Sequence, residues 1–263
     1  MKNILCYLTL SVLILSGCAT KQQPVEQDLP DSLEKESSAL MAYPLPTSME
    51  MSDKLKNADA IYVAALTNDA ANISKYIRTQ DKAINLGVYT ADICYAITFD
   101  MKQEVIKFMN ATKLLLDDLG ILSPYNEQIL QSFRDESKNK DSVLITINDS
   151  FKDTYTYLRK NKQEHINVLV ISGSYIEGLY ILTQIAATSK NNGELIQMVG
   201  SQKSILKEIM KLMEPFKEHE SVKDLYAKML PLSEAYQKVG FSIEEDQLKE
   251  ITKIIADIRK TIL

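Results

Sequence analysis

The chain has 263 residues, of which 45% are hydrophobic and 25% charged, with a formal net charge of −5 and a pI near 5.3. That length suits one large domain or two small ones with a sizeable core. The acidic balance, with no Lys/Arg block to reverse it, argues against a general nucleic-acid binder. Gly and Pro number only 8 and 7 among abundant Leu, Ile, Lys, Glu and Ala. Few breakers and many helix formers favour an all-α fold.

The chain opens on Met1-Lys2-Asn3, a short positive start, followed by an apolar run over residues 4–15. That run is shorter than the roughly 20 apolar residues a bilayer span takes, and it reads as a signal peptide. It ends in Leu15-Ser16-Gly17-Cys18. Leu15, Ser16 and Gly17 before Cys18 resemble the lipobox of bacterial lipoproteins. The resemblance implies diacylglycerol on the Cys18 sulfur, cleavage before Cys18 and acylation of the new amino group. Two or more acyl chains give stable anchoring where one does not. Ala19 rather than Asp follows the cysteine. By the same resemblance this points to the outer membrane, facing the periplasm, with exposure at the cell surface as the alternative.

Residues 19–47 read as a flexible tether, punctuated by Pro24, Pro30, Pro44 and Pro46 and filled with Gln, Ser, Glu and Asp. Such a stretch cannot bury enough apolar surface to offset its ordering entropy. Three segments result: a signal peptide at 1–17, the lipidated Cys18 and tether at 18–47, and a helical domain at 48–263.

In that domain the 3.6-residue period dominates. A first helix is expected over residues 48–66, with Leu55, Ile61, Tyr62 and Ala65 inward. A short segment over 70–78 follows, then a helix over 81–98 carrying Ile84, Val88, Ala91 and Tyr95. Met101, Val105, Phe108, Thr112, Leu115 and Leu119 make one stripe, stopped by Gly120. Ser123-Pro124 reads as the N-cap and first position of another helix. Residues 143–147 are β-branched enough for a strand, but helical spacing through Leu158 outweighs that. Residues 166–188 are apolar nearly all round, which marks a central helix. Asn191-Asn192-Gly193 should break it. A striped helix from Leu195 to Met213 follows. The next covers 222–239, with Pro231 as a kink or break, and a last helix runs to Ile262.

Gly87-Val88-Tyr89 and Gly173-Ser174-Tyr175 begin two similar stretches about 86 residues apart. Each stretch sits in an apolar helix followed by a breaker and a striped helix. The pattern is that of two duplicated four-helix units, giving a multi-helix bundle of about eight helices. The glycines would permit close helix approach.

Chemistry is sparse. His165 and His219 lie in polar surroundings and read as solvated residues. No His-Glu-x-x-His or Cys/His pair suggests a metal, and no cofactor is expected. Cys94 is left without a partner once Cys6 leaves with the leader and Cys18 is acylated, and its apolar neighbours suggest a buried, inert thiol. The segment 168–173 could enter a nucleotide-binding turn, but the glycine fingerprint and phosphate loop are missing. Asp92 and Glu177 stand out as acids within apolar stretches. Buried, they would have raised pKa values and could serve a ligand; the plainer expectation is acids at a helix edge reaching water or a tyrosine. The leading expectation is a non-enzymatic envelope lipoprotein that binds or scaffolds a protein or cell-wall partner. The alternative is a small-molecule or lipid binder, with Tyr89, Asp92, Tyr175 and Glu177 lining a pocket between the halves.

Overall fold

In the computed structural model, which describes residues 54, 55, 57–121 and 140–263, every regular element among the described residues is helical. The helices are α1 (Thr79–Thr98), α2 (Lys102–Asp118), α3 (Lys140–Lys160), α4 (Glu164–Thr188), α5 (Gly193–Met213), α6 (Lys223–Gln237) and α7 (Glu245–Ile262). Short 3-10 turns lie at Ala64–Leu66, Ala70–Lys75 and Glu214–Phe216. The lipobox residues Leu15, Ser16, Gly17 and Cys18, the tether, and the helix expected at Ser123-Pro124 fall outside the described residues.

The bundle is built around α1 and α4. Every residue from Ala83 to Thr98 of α1 is buried. By length and composition α4 could cross a membrane, yet 89% of its most apolar stretch is buried inside the protein. A helix apolar on all sides has no face to give to water, so both are enclosed by the others. Helix α2 packs on α1 and α5 on α4, α6 rests on α5, and α7 bridges α4 and α6. These outer helices are one-sided. Ile251, Ile255 and Ile258 make the buried stripe of α7, and Leu195, Val199, Gln202, Leu206 and Ile209 that of α5.

The central pair meets backbone to backbone. A Cβ placed on Gly87 would fall 2.0 Å from the Val170 carbonyl oxygen, and one on Gly173 would fall 2.0 Å from the Ile84 carbonyl oxygen. The contact is reciprocal: Gly87 and Gly173 are 86 positions apart, and so are Ile84 and Val170. The same residues of two similar stretches therefore touch across a local two-fold relation. Asp92 and Glu177, each about one turn beyond its glycine, also interact directly. The two helices accordingly run in the same direction.

Several expectations need correction. The first helix does not continue to Leu66. A helical turn at Lys54 and Leu55 closes at Ala58, and Asp59 then takes a left-handed φ of 50°. The chain runs on without helix to Val63 because Tyr62 stacks on Tyr95 at 5.0 Å and the Val63 N–H donates to the Tyr95 hydroxyl at 3.0 Å. Leu55 is buried as expected, but Ile61 is 74% exposed and Ala65 is exposed. Pro231 does not break α6, which is continuous from Lys223 to Gln237. Buried side chains on both sides of the proline, Met229 and Leu232, hold it in place. Beyond it the Tyr236 hydroxyl donates to the Val199 carbonyl at 2.9 Å. As expected, the β-branched run at 143–147 is helical, within α3, and residues 168–173 are helical, within α4. Gly120 ends the α2 region with a φ of 67°, as its position predicts.

Substitution at the crossing should be costly. Gly87→Ala or Gly173→Ala is expected to destabilise the protein by about 2 kcal/mol or more, because backbone rather than a side-chain tip must give way. Gly193→Ala, whose Cβ would meet nothing within 4 Å, should change stability little. Thermal melts of the three variants followed by circular dichroism make the comparison.

Candidate functional site

One turn beyond the glycine contact, three ionisable side chains converge in the interior. Asp92 of α1 and Glu177 of α4 are each 0% exposed. Arg259, in the last turns of α7, reaches between the helices to Glu177. Its Nε donates to Glu177 Oε2 at 2.6 Å and its terminal nitrogen to Oε1 at 2.7 Å, a two-pronged contact. The same nitrogen donates to the Leu66 carbonyl at 2.9 Å, and the guanidinium lies 4.2 Å from the centre of the Tyr180 ring.

Asp92 is held differently. Its Oδ2 accepts the Asn68 backbone N–H at 3.1 Å, while Oδ1 meets no donor. Burial pushes the Asp92 carboxyl well above the usual carboxylate range, and the negative charge of Glu177 adds to the shift. Burial also raises Glu177, against the pull of Arg259 and of a hydrogen bond from Asp92. Burial alone would disfavour the Arg259 charge, but the Glu177 contact more than restores it. One guanidinium cannot balance two buried carboxylates, and uncompensated charge in the interior is expensive. The raised pKa of Asp92 favours holding the odd proton there, where it makes Oδ1 a donor toward Glu177. The result is a neutral set: one carboxylic acid, one carboxylate and one guanidinium.

A polar network extends from this set. The Asn68 side chain donates to the Tyr76 hydroxyl at 2.8 Å and to Asn85 Oδ1 at 3.4 Å, and accepts from Asn72 at 2.7 Å. Asn85 in turn donates to the Ile262 carbonyl at 2.8 Å, near the end of α7. The network thus ties the segment around residue 68, both central helices and the C-terminus of α7 to one another.

The two acids singled out by sequence are brought together, and they are buried rather than at a water-reaching helix edge. The two tyrosines are not part of that meeting. Tyr89 donates to the Asp69 carbonyl at 2.8 Å, and Tyr175 to the Gln202 carbonyl at 3.4 Å. Burial raises the pKa of both. Each tyrosine serves its own half of the bundle. Arg259, Asn68 and Asn85 were not foreseen. Arg259 follows Ile255 by four residues and Ile251 by eight, so it flanks the buried stripe of α7; that spacing is the signal that could have found it.

Two cavities among the described residues bear on the expectation of binding. One of about 40 Å³, lined by Thr90, Met109, Thr112, Ile147 and Thr154, has the scale of one or two waters. The other is a solvent-open groove of about 730 Å³ between the end of α4, the start of α5 and α7. Ala187, Ile196, Ile243 and Leu248 give it an apolar floor, with Lys249 and Lys253 along one wall.

The histidines also depart from expectation. His165 and His219 are half-buried and their rings stack at 4.3 Å, with Phe216 beside His165. The turn after α5 carries His219 back against the start of α4, a contact that local polarity does not reveal. Cys94 is buried, and burial pushes its thiol up to about 12, which matches an inert role. Among the described residues no group of three or more His, Cys, Asp or Glu could hold a metal ion.

The two acids should respond oppositely to neutralisation. Asp92→Asn keeps an uncharged donor beside Glu177 and should fold normally. Glu177→Gln leaves Arg259 without its partner and should cost about 3–5 kcal/mol. The pH dependence follows from Asp92. Its folded pKa is raised, so the native state keeps a proton that the unfolded chain releases above pH of about 4. Stability contributed by that proton is complete below the unfolded pKa and declines by about 1.4 kcal/mol per pH unit until the folded pKa is passed. Asp92→Asn should remove this decline, so that denaturant midpoints measured from pH 4 to 9 show the variant gaining on the parent as pH rises.

No family model matches this chain, and neither a curated protein nor a solved structure matches it.

Proposed function

We propose that the protein is a lipid-anchored protein of the bacterial cell envelope that works by binding rather than by catalysis. The observation that carries this reading is Leu15-Ser16-Gly17-Cys18 at the end of the apolar run over residues 4–15. On this reading residues 1–17 are removed, Cys18 carries the lipid, and residues 19–47 hold the helical bundle away from the membrane. The outer membrane, periplasmic side, is the proposed location.

The groove between α4, α5 and α7 is the proposed contact surface for a protein or cell-wall partner. It is preferred to an enclosed site between the halves because α1 and α4 touch through their backbones at Gly87 and Gly173. The charged set beneath is already balanced by Arg259 and gives a rigid base to the helix that forms one wall of the groove.

Labelled palmitate and membrane fractionation test the anchor in a bacterial host. The parent chain should incorporate label and sediment with membranes. Cys18→Ser should do neither. Equal incorporation and sedimentation in both would overturn the reading.

A further inference from the structure

The loop between α6 and α7 places an apolar knob beside the groove. Phe241 is 110% exposed relative to its reference, the most exposed of the large hydrophobic side chains among the described residues. Two residues later Ile243 turns inward. It packs against α5 at Gly200, where a Cβ would sit 3.5 Å from its side chain, and it lines the groove. Knob and groove therefore share one lip of one face. A two-fold axis crossing α7 near Leu248 carries each knob toward Thr252 and Ala256 in the other copy's groove, the condition for a closed, self-complementary contact. The groove volume of about 730 Å³ falls within the range of sites that enclose a drug-sized ligand, about 300–1,000 Å³. A phenylalanine with its flanking chain fits in that space.

The charges on the same face are self-complementary too. Along α7, Glu245 comes first, with Lys249 and Lys253 one and two turns later, all lining the groove. Two α7 helices related by a two-fold axis across their length run antiparallel. The acid of each then faces the lysines of the other, twice per contact. Glu245 and Lys249 pair within the helix at 2.6 Å, but both are well exposed, at 81% and 66%. Such a pair holds little energy and exchanges partners readily.

We propose that this groove is a self-association site, filled by Phe241 of a second copy of the chain, with Glu245 facing Lys249 and Lys253 across the two-fold. The proposal rests on the reading of the groove as a binding surface and names the partner.

The test uses the full chain in the membranes of the producing cell. Ser242→Cys and Thr252→Cys in one chain place a thiol at the lip of each copy opposite one in the other copy's groove; the two are too far apart within one copy to pair, and the buried Cys94 does not compete with them. Oxidation should give a disulfide-linked dimer on a non-reducing gel. Adding Phe241→Ser should reduce that band at least tenfold with the melting temperature unchanged, since Phe241 supports nothing in its own copy. Charge exchange gives a second readout. A copy carrying Lys249→Glu and Lys253→Glu, or one carrying Glu245→Lys, should lose the band when present alone. Together the two should regain it as a mixed dimer. A photoreactive residue at Thr252, inside the groove, separates the remaining outcomes. Crosslinks to another protein, without the disulfide-linked dimer, would support the binding reading and overturn self-association. Crosslinks only to residues 19–53 of the same chain, or none at all, would overturn both.

Discussion

Everything in this bundle depends on two helices lying closer than side chains normally allow. At Gly87 and Gly173 the backbones of α1 and α4 replace the usual layer of interdigitated side chains, since a Cβ on either would collide with a carbonyl oxygen. That approach has consequences in each direction along the pair. Towards the C-terminal ends it brings Asp92 and Glu177 together. To either side it leaves Tyr89 and Tyr175 directed into separate halves, where each finds a carbonyl of its own neighbourhood. The reciprocity of the contact, with the same residues meeting at the same offset, makes the centre of the molecule nearly symmetric.

The symmetry ends at the charges. Two acids meet one arginine, so a single helix, α7, is recruited to the central pair by a buried two-pronged ion pair. Such a pair is weak evidence for net stability, because desolvation offsets much of its attraction, but losing one partner leaves the other stranded. Its effect here is to set position. Arg259 fixes α7 against α4, and the Asn85 to Ile262 hydrogen bond fixes its end against α1. A proton on Asp92 keeps the set neutral.

Position at the core reaches the surface through α7. Its buried stripe and its arginine face inward, and its other face forms one wall of the open groove. The N-terminus of the helix is secured by a capping box between Glu244 and Gln247. A wall held at both ends is a preformed surface, so a partner would meet little ordering cost on that side.

Periodicity and composition alone determined the helical class, the order of α1 to α7, the glycine stop at Gly120 and the likeness of two Gly-x-Tyr stretches, because spacing of apolar residues reports directly which face of a helix is buried. They also marked Asp92 and Glu177, since an acid inside an apolar run is conspicuous. Only the tertiary structure decided what those acids do. The arginine that balances them lies 82 residues beyond Glu177; its spacing from Ile251 and Ile255 places it beside the buried stripe of α7 but does not say which acids it meets there. Long-range contacts likewise overrode local propensity elsewhere. Tyr95 holds the segment before Ala64 out of the helix its pattern suggested, packing keeps Pro231 inside α6, and the turn after α5 stacks two histidines that polar neighbours made look solvated. Sequence records which residues prefer to be buried, whereas the partners they meet there depend on distances that only the folded chain sets.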